Sequence, residues 1–98
     1  MIMYTIYVKF DCIKGRREAF IERVKAEGIL DAIKAEAGYI KYDYYLSEAD
    51  ETELLLVEQW ESYQHQQDHI AQPHMARLRE LKNDYILSTE LHEIEIKD

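Results

Sequence analysis

One cysteine, one proline and three glycines are all that this chain of 98 residues holds of the residue types that cross-link, break or loosen a backbone. The single thiol, Cys12, has no partner for an internal disulfide, which fits a reducing cytoplasm; a small buried apolar residue is its expected role. With so little Gly and Pro the chain reads as ordered throughout, with no linker, repeat or low-complexity segment. No run comes near the eighteen or so consecutive apolar residues of a membrane span. The opening MIMYTIYVKF alternates and lacks both a basic leader and a small-residue cleavage site, so it is not expected to be a signal peptide. Basic residues are scarce too: 12 Lys and Arg stand against 20 Asp and Glu, a formal charge of −8. Such a surface repels a phosphate backbone, which disfavours nucleic acid as a partner, and it works mildly against anionic substrates.

What is present is enough for one compact domain over residues 1–98, with an apolar share of 47%. Met3 to Phe10 alternates as a strand, and Lys14-Gly15 makes a turn. From Arg16 a helix carries Phe20, Ile21 and Val24 on one side; Gly28 bends it, and Ile29 to Glu36 continues as a helical segment closed by Gly38. Two strand-like runs follow, Tyr39 to Leu46 and Glu53 to Trp60, joined by the polar hairpin loop SEADET. Ser62 is the expected cap of a helix that runs to about Ala71. Pro73 breaks the chain there and opens a second helix from His74 to about Tyr85, with Met75, Leu78, Leu81 and Tyr85 on its apolar side. Ile86 to Lys97 reads as a last strand. The order β-α-β-β-α-β predicts an α+β fold of the ferredoxin-like kind, a four-stranded antiparallel sheet with helices on one face.

The uncovered face of that sheet should be polar, and it is not. Met3 and Tyr7 oppose Ile6 and Val8; Tyr39 and Tyr45 oppose Ile40 and Tyr44; Leu54 and Leu56 oppose Leu55 and Val57. A homodimer packed sheet to sheet would bury the second face. In the last strand, Leu87, Thr89 and Leu91 share one face, but His92, Ile94 and Ile96 take the apolar role on the other. That switch predicts a bulge, or a strand that joins the partner's sheet.

Chemistry concentrates in WESYQHQQDHIAQPHMARL, residues 60–78, which holds the only tryptophan, the only proline and three of the four histidines. His65 and His69 are one helical turn apart, but Gln66 cannot serve as the base of a zinc-protease motif and no third ligand stands beside them, so no metal site is expected. There is no G-x-S-x-G, no Cys beside a His and no Gly-rich phosphate loop, which leaves acyl transfer and nucleotide or flavin binding without support. What remains is acid-base work in an apolar cavity, with His69 and His74 flanking the helix break as candidate catalytic groups. Equally, a His at such a break can simply satisfy a helix end.

These residues, in this fold order, resemble the antibiotic biosynthesis monooxygenase (ABM) family. The shared pattern is a third strand ending E-x-W-E-S, a helix closing with His, and a P-H-[F/Y/M] step into the next helix. Here it reads VEQWES and then DHIAQPHMARL, with Glu58, Trp60, His69, Pro73 and His74 in those places. GRREAF after the first strand and EAGYIKYDYYL in the second fit as well, so the likeness covers about residues 1–96. The resemblance implies a dimeric α/β barrel with one pocket per subunit and small-molecule chemistry without a bound cofactor. Its quinol and anthrone branch oxidises electron-rich phenols with dioxygen; a second branch isomerises a small phosphorylated hydroxyketone (phospho-autoinducer-2). The haem-opening branch is disfavoured: its pocket Asn falls on Val8, its Trp on His69 and its haem-ligating His on Arg79. The oxygenase branch implies His69 and His74 as catalytic residues, with Trp60, Tyr42, Tyr44, Val8 and Arg79 toward the substrate. An isomerase would need cations for a phosphate, for which Arg77 and Arg79 are available. A non-catalytic ligand-binding dimer on the same scaffold is the third expectation.

Overall fold

The computed structural model describes residues 3–95. Alternation makes the first strand, β1 (Tyr4–Cys12): Ile6, Val8, Phe10 and Cys12 are buried, while Lys9 and Asp11 are exposed. Helices α1 (Arg17–Ala26) and α2 (Ile29–Lys34) follow, split by Gly28 in the left-handed region at φ 74°. β2 (Tyr39–Leu46) and β3 (Glu53–Trp60) form a hairpin. α3 (Tyr63–Ile70) and α4 (Pro73–Tyr85) meet at the proline step, and β4 (Ile86–Ile94) ends the described fold. The expected extension to Lys97 lies outside the described residues. No helix of the described residues is long and apolar enough to cross a membrane.

The strands form one antiparallel sheet in the order β2-β3-β1-β4, as the ferredoxin-like order requires. Phe20, Val24, Ile33, Leu78 and Leu81 descend from the helices onto Ile6, Phe10, Leu54, Leu56 and Trp60. Cys12 is in this core, and burial pushes its thiol up to about 11, which removes it as a nucleophile at neutral pH.

Two details differ from the expected register. A bulge between Tyr39 and Lys41 puts Tyr39 opposite Trp60, edge to face at 6.2 Å, so Tyr39 packs on the core rather than sharing the outer face with Tyr45. The irregularity in β4 sits at Leu87, between Ile86 opposite Cys12 and Ser88 opposite Asp11, and not between Leu91 and His92. From Ser88 to Ile94 the pairing is continuous, and His92 stacks on Tyr7 at 4.9 Å on the open face. Leu87 and Leu91 are largely exposed because β4 is an edge strand.

Charged groups tie the layers together. Arg17 donates from Nη1 to the main-chain carbonyls of Ser47, Asp50 and Glu53 at 3.0, 3.0 and 3.2 Å, holding the β2–β3 loop against α1. Glu27, just past α1, accepts two hydrogen bonds from Arg77 of α4 at 2.6 and 2.8 Å and one from Arg23 at 2.6 Å. Gly38, at φ 80°, turns the chain from α2 into β2 with its carbonyl accepting from Glu61 N at 2.8 Å, and a Cβ there would run into the His65 ring.

The arginines hold the Glu27 carboxyl down at about 2, Arg77 contributing most. Its folded value is depressed, so its stabilisation is complete above the ordinary carboxylate range and is lost as pH falls toward 2. Glu27→Gln should therefore be less stable than the parent at neutral pH, with the gap in urea midpoint closing in acid. Gly38→Ala should lower stability by more than about 1 kcal/mol, since Ala at positive φ is strained and its methyl meets an imidazole; the same urea titration measures it.

Candidate active site

The proline step brings two imidazoles to one point. Ser62 begins α3 as expected, its Oγ accepting from His65 N at 3.2 Å, and eight helical residues later the chain leaves at Ala71. Gln72 is extended (φ −70°, ψ 146°), the conformation that a following proline imposes, and Pro73 occupies the first turn of α4. His69 thus ends one helix and His74 starts the next, both turned toward the loop between α2 and β2.

That loop supplies Glu36. Its carboxylate accepts from His69 Nδ1 at 2.9 and 3.1 Å and from His74 Nε2 at 2.7 Å. The Glu36 side chain is 9% exposed, His69 1% and His74 20%. On its inner side the His69 ring lies over Trp60, centroids 4.5 Å apart, with Tyr42 edge-on at 5.8 Å. Trp60 Nε1 donates to Glu58 Oε1 at 3.0 Å, and that oxygen is 3.7 Å from His69 Nε2. Burial raises the Glu58 carboxyl, opposed by the Trp60 N–H and by His69. Lys82, whose ammonium is lowered chiefly by burial, also faces Glu58 electrostatically. Burial raises both Tyr42 and Tyr44, so these phenols stay protonated at neutral pH.

His69, His74, Trp60 and Tyr42 therefore converge, and Tyr44 joins through Tyr42 at 6.0 Å. Val8 is a core residue between Leu56 and Leu91 in the sheet. Arg79 stands apart, exposed, donating to the Ile70 carbonyl at the end of α3. His65 is bound to Ser62 Oγ at 2.8 Å and is no partner of His69. The expected hollow under the helices is closed at its centre, because Trp60 and His69 fill it, their rings 4.5 Å apart and tilted by 32°. Open space lies at its edges. A cavity of about 560 Å³ is lined by Glu36, His65, Asp68, His74 and small alanines. Another, of about 390 Å³, runs beside β2 past Tyr42, Tyr44, Lys25 and Lys34.

Glu36 is the member that sequence reasoning did not single out, and Glu58 was placed in the strand-end pattern without a role. Glu58 had a signal: two residues before Trp60 on one strand, it must share that side chain's face. Glu36 had none, being 33 residues from His69 in a loop.

The sequence pattern of the antibiotic biosynthesis monooxygenase family matches residues 3–81. Among solved structures, a protein of Pseudomonas aeruginosa superimposes with a TM-score of 0.85 at 18% identity, over 100% of this chain and 97% of that one. A conserved protein of Methanosarcina mazei Go1 gives 0.86 at 19%, over 99% and 95%. A Mycobacterium tuberculosis protein gives 0.83 at 21%, over 99% and 97%. At these identities the likeness establishes the fold alone. No curated protein matches the chain. A family pattern that runs from the first strand through the proline step and most of α4 is decisive, and the chain belongs to the antibiotic biosynthesis monooxygenase family.

Proposed function

We propose that this chain is a cofactor-independent monooxygenase acting on a small quinol or another electron-rich phenol. The observation that carries the reading is the Glu36 carboxylate holding two imidazoles, one buried and one on an open cavity. With Nε2–H of His74 committed to Glu36, its Nδ1 is the nitrogen left to take a proton from a phenol in the cavity. Glu36 orients both rings, and Glu58 Oε1 lies 3.7 Å from the other nitrogen of His69. A deprotonated quinol supplies its own electrons: one oxygen atom of dioxygen ends in the hydroxyquinone and the other in water.

Charge favours this reading over the isomerase. The cavity beside His74 carries Glu36 and Asp68 and no Lys or Arg, which suits a neutral phenol better than a phosphorylated ketone. Arg77 is committed to Glu27 and Glu80, and Arg79 to a helix end. Oxygen uptake with a hydroquinone should fall by about 10²–10⁴ in His74→Ala, the usual range for loss of a general base, and should fall as well in His69→Ala, which removes the ring that shares Glu36 with it. Undiminished uptake in both variants, or product formed without oxygen, would sink the proposal; binding of the quinol without turnover would favour a non-catalytic binder.

We also infer that two chains pair through the open sheet face. Tyr7, Leu55 and Val57 line it with only partial cover, Tyr45 is exposed, and the Thr5 hydroxyl is buried without a partner. Sedimentation equilibrium should give the dimer mass, and Val57→Lys should shift it to that of one chain. A parent protein that stays monomeric as concentration rises would contradict this.

A further inference from the structure

We propose that Glu36, His69 and His74 form a binding site for one divalent transition-metal ion of the zinc, cobalt or iron(II) class. Two imidazole nitrogens and one carboxylate oxygen is a donor set such ions take, with further positions left open, and it lacks the all-oxygen character that calcium and magnesium favour. The three donor atoms already lie within 4.8 Å of one another. Bonds of about 2.0–2.2 Å to one ion set ligand atoms roughly 3–3.5 Å apart. Glu36 Oε2 is now 2.9 Å from His69 Nδ1 and 2.7 Å from His74 Nε2, so those two pairs need only a few tenths of an ångström of opening, while the two nitrogens, within 4.8 Å of each other, would settle on the ion.

Charge points the same way. Among the described residues, the cationic partners of Glu36 within 4.0 Å are the two imidazoles and no Lys or Arg. Glu58, 7% exposed, adds a second carboxylate 3.7 Å from the other nitrogen of His69. Lys82 faces Glu58, but Glu36 has those two imidazoles to answer its charge, and a dication would answer it more fully. Glu58 lies on the side of His69 where the outer carboxylate of a carboxylate–histidine–metal arrangement belongs, at 3.7 Å just beyond hydrogen-bond distance, and the Trp60 N–H holds it there. Access and room for water ligands come from the cavity of about 560 Å³ that Glu36 and His74 line.

The ligand set is not the His65–His69 helical pair, since His65 is bound to Ser62. The proposal does not rest on the oxygenase reading. An ion on Nδ1 of His69 and Nε2 of His74 would displace the hydrogen bonds through which Glu36 orients the two rings, so ion-bound and base-competent forms are alternative states of one cluster.

The test uses the full chain freed of metal with a chelator and titrated with Co²⁺, followed by visible d–d absorption, and with Zn²⁺, followed by calorimetry. A single saturating ion per chain is expected. Glu36→Gln and His74→Ala should each weaken binding by more than the roughly 10–100-fold that loss of an outer-shell partner causes; circular dichroism verifies that both variants remain folded. His65→Ala should bind as the parent does. Absence of saturable binding, parent-like affinity in Glu36→Gln and His74→Ala, or loss of binding in His65→Ala alone would each overturn the assignment. None of these readouts needs turnover, so they stand apart from the fate of the oxygenase reading.

Discussion

A carboxylate drawn out of water needs donors close by, and in this protein the need is met at Glu36 by two imidazoles from opposite sides of a helix break. That three-way contact links the α2–β2 loop to α3 and α4 at a single carboxylate. Without it the Pro73 step would be an ordinary interruption. With it, the interruption becomes a device that aims two rings at one acceptor, something a continuous helix cannot do for residues five apart, which point about 140° from one another.

The inner half of the site follows from a different force. Trp60 and His69 pack with their rings tilted against each other, with Tyr39 and Tyr42 edge-on around them, and the aromatic cluster leaves no room at the middle of the layer. Polarity is nevertheless retained there, because the indole N–H reaches Glu58 and keeps a second carboxylate within range of the same histidine. The core beside the site is thus apolar in volume and acidic at two points, with the His69 ring between them.

The fold was legible in the residues to a large degree. Alternation in β1 and β3, the Ser62 cap and the Pro73 step each act over a few positions, so local reading captured them. The bulges were not, because an extra residue in a strand changes which face a side chain takes without changing its composition; Tyr39 and Leu87 were misread for that reason. At the site, His69, His74, Trp60 and Tyr42 share one short stretch or one strand face and were recognisable as candidates. Glu36 became meaningful only when packing closed the distance along the chain. The resemblance put Arg79 toward the substrate, but helix phase turns it outward to the end of α3.

The grip of Arg17 on the β2–β3 loop has a consequence for how this scaffold can vary. The guanidinium holds three peptide oxygens and none of the loop's side chains. Whatever amino acids occupy the hairpin tip, the same clasp works so long as the main chain follows the same path. Ser47 and Asp50 shape that path through their own side-chain bonds, so the tip can be re-engineered at its other positions while its anchorage to the helical layer stays intact.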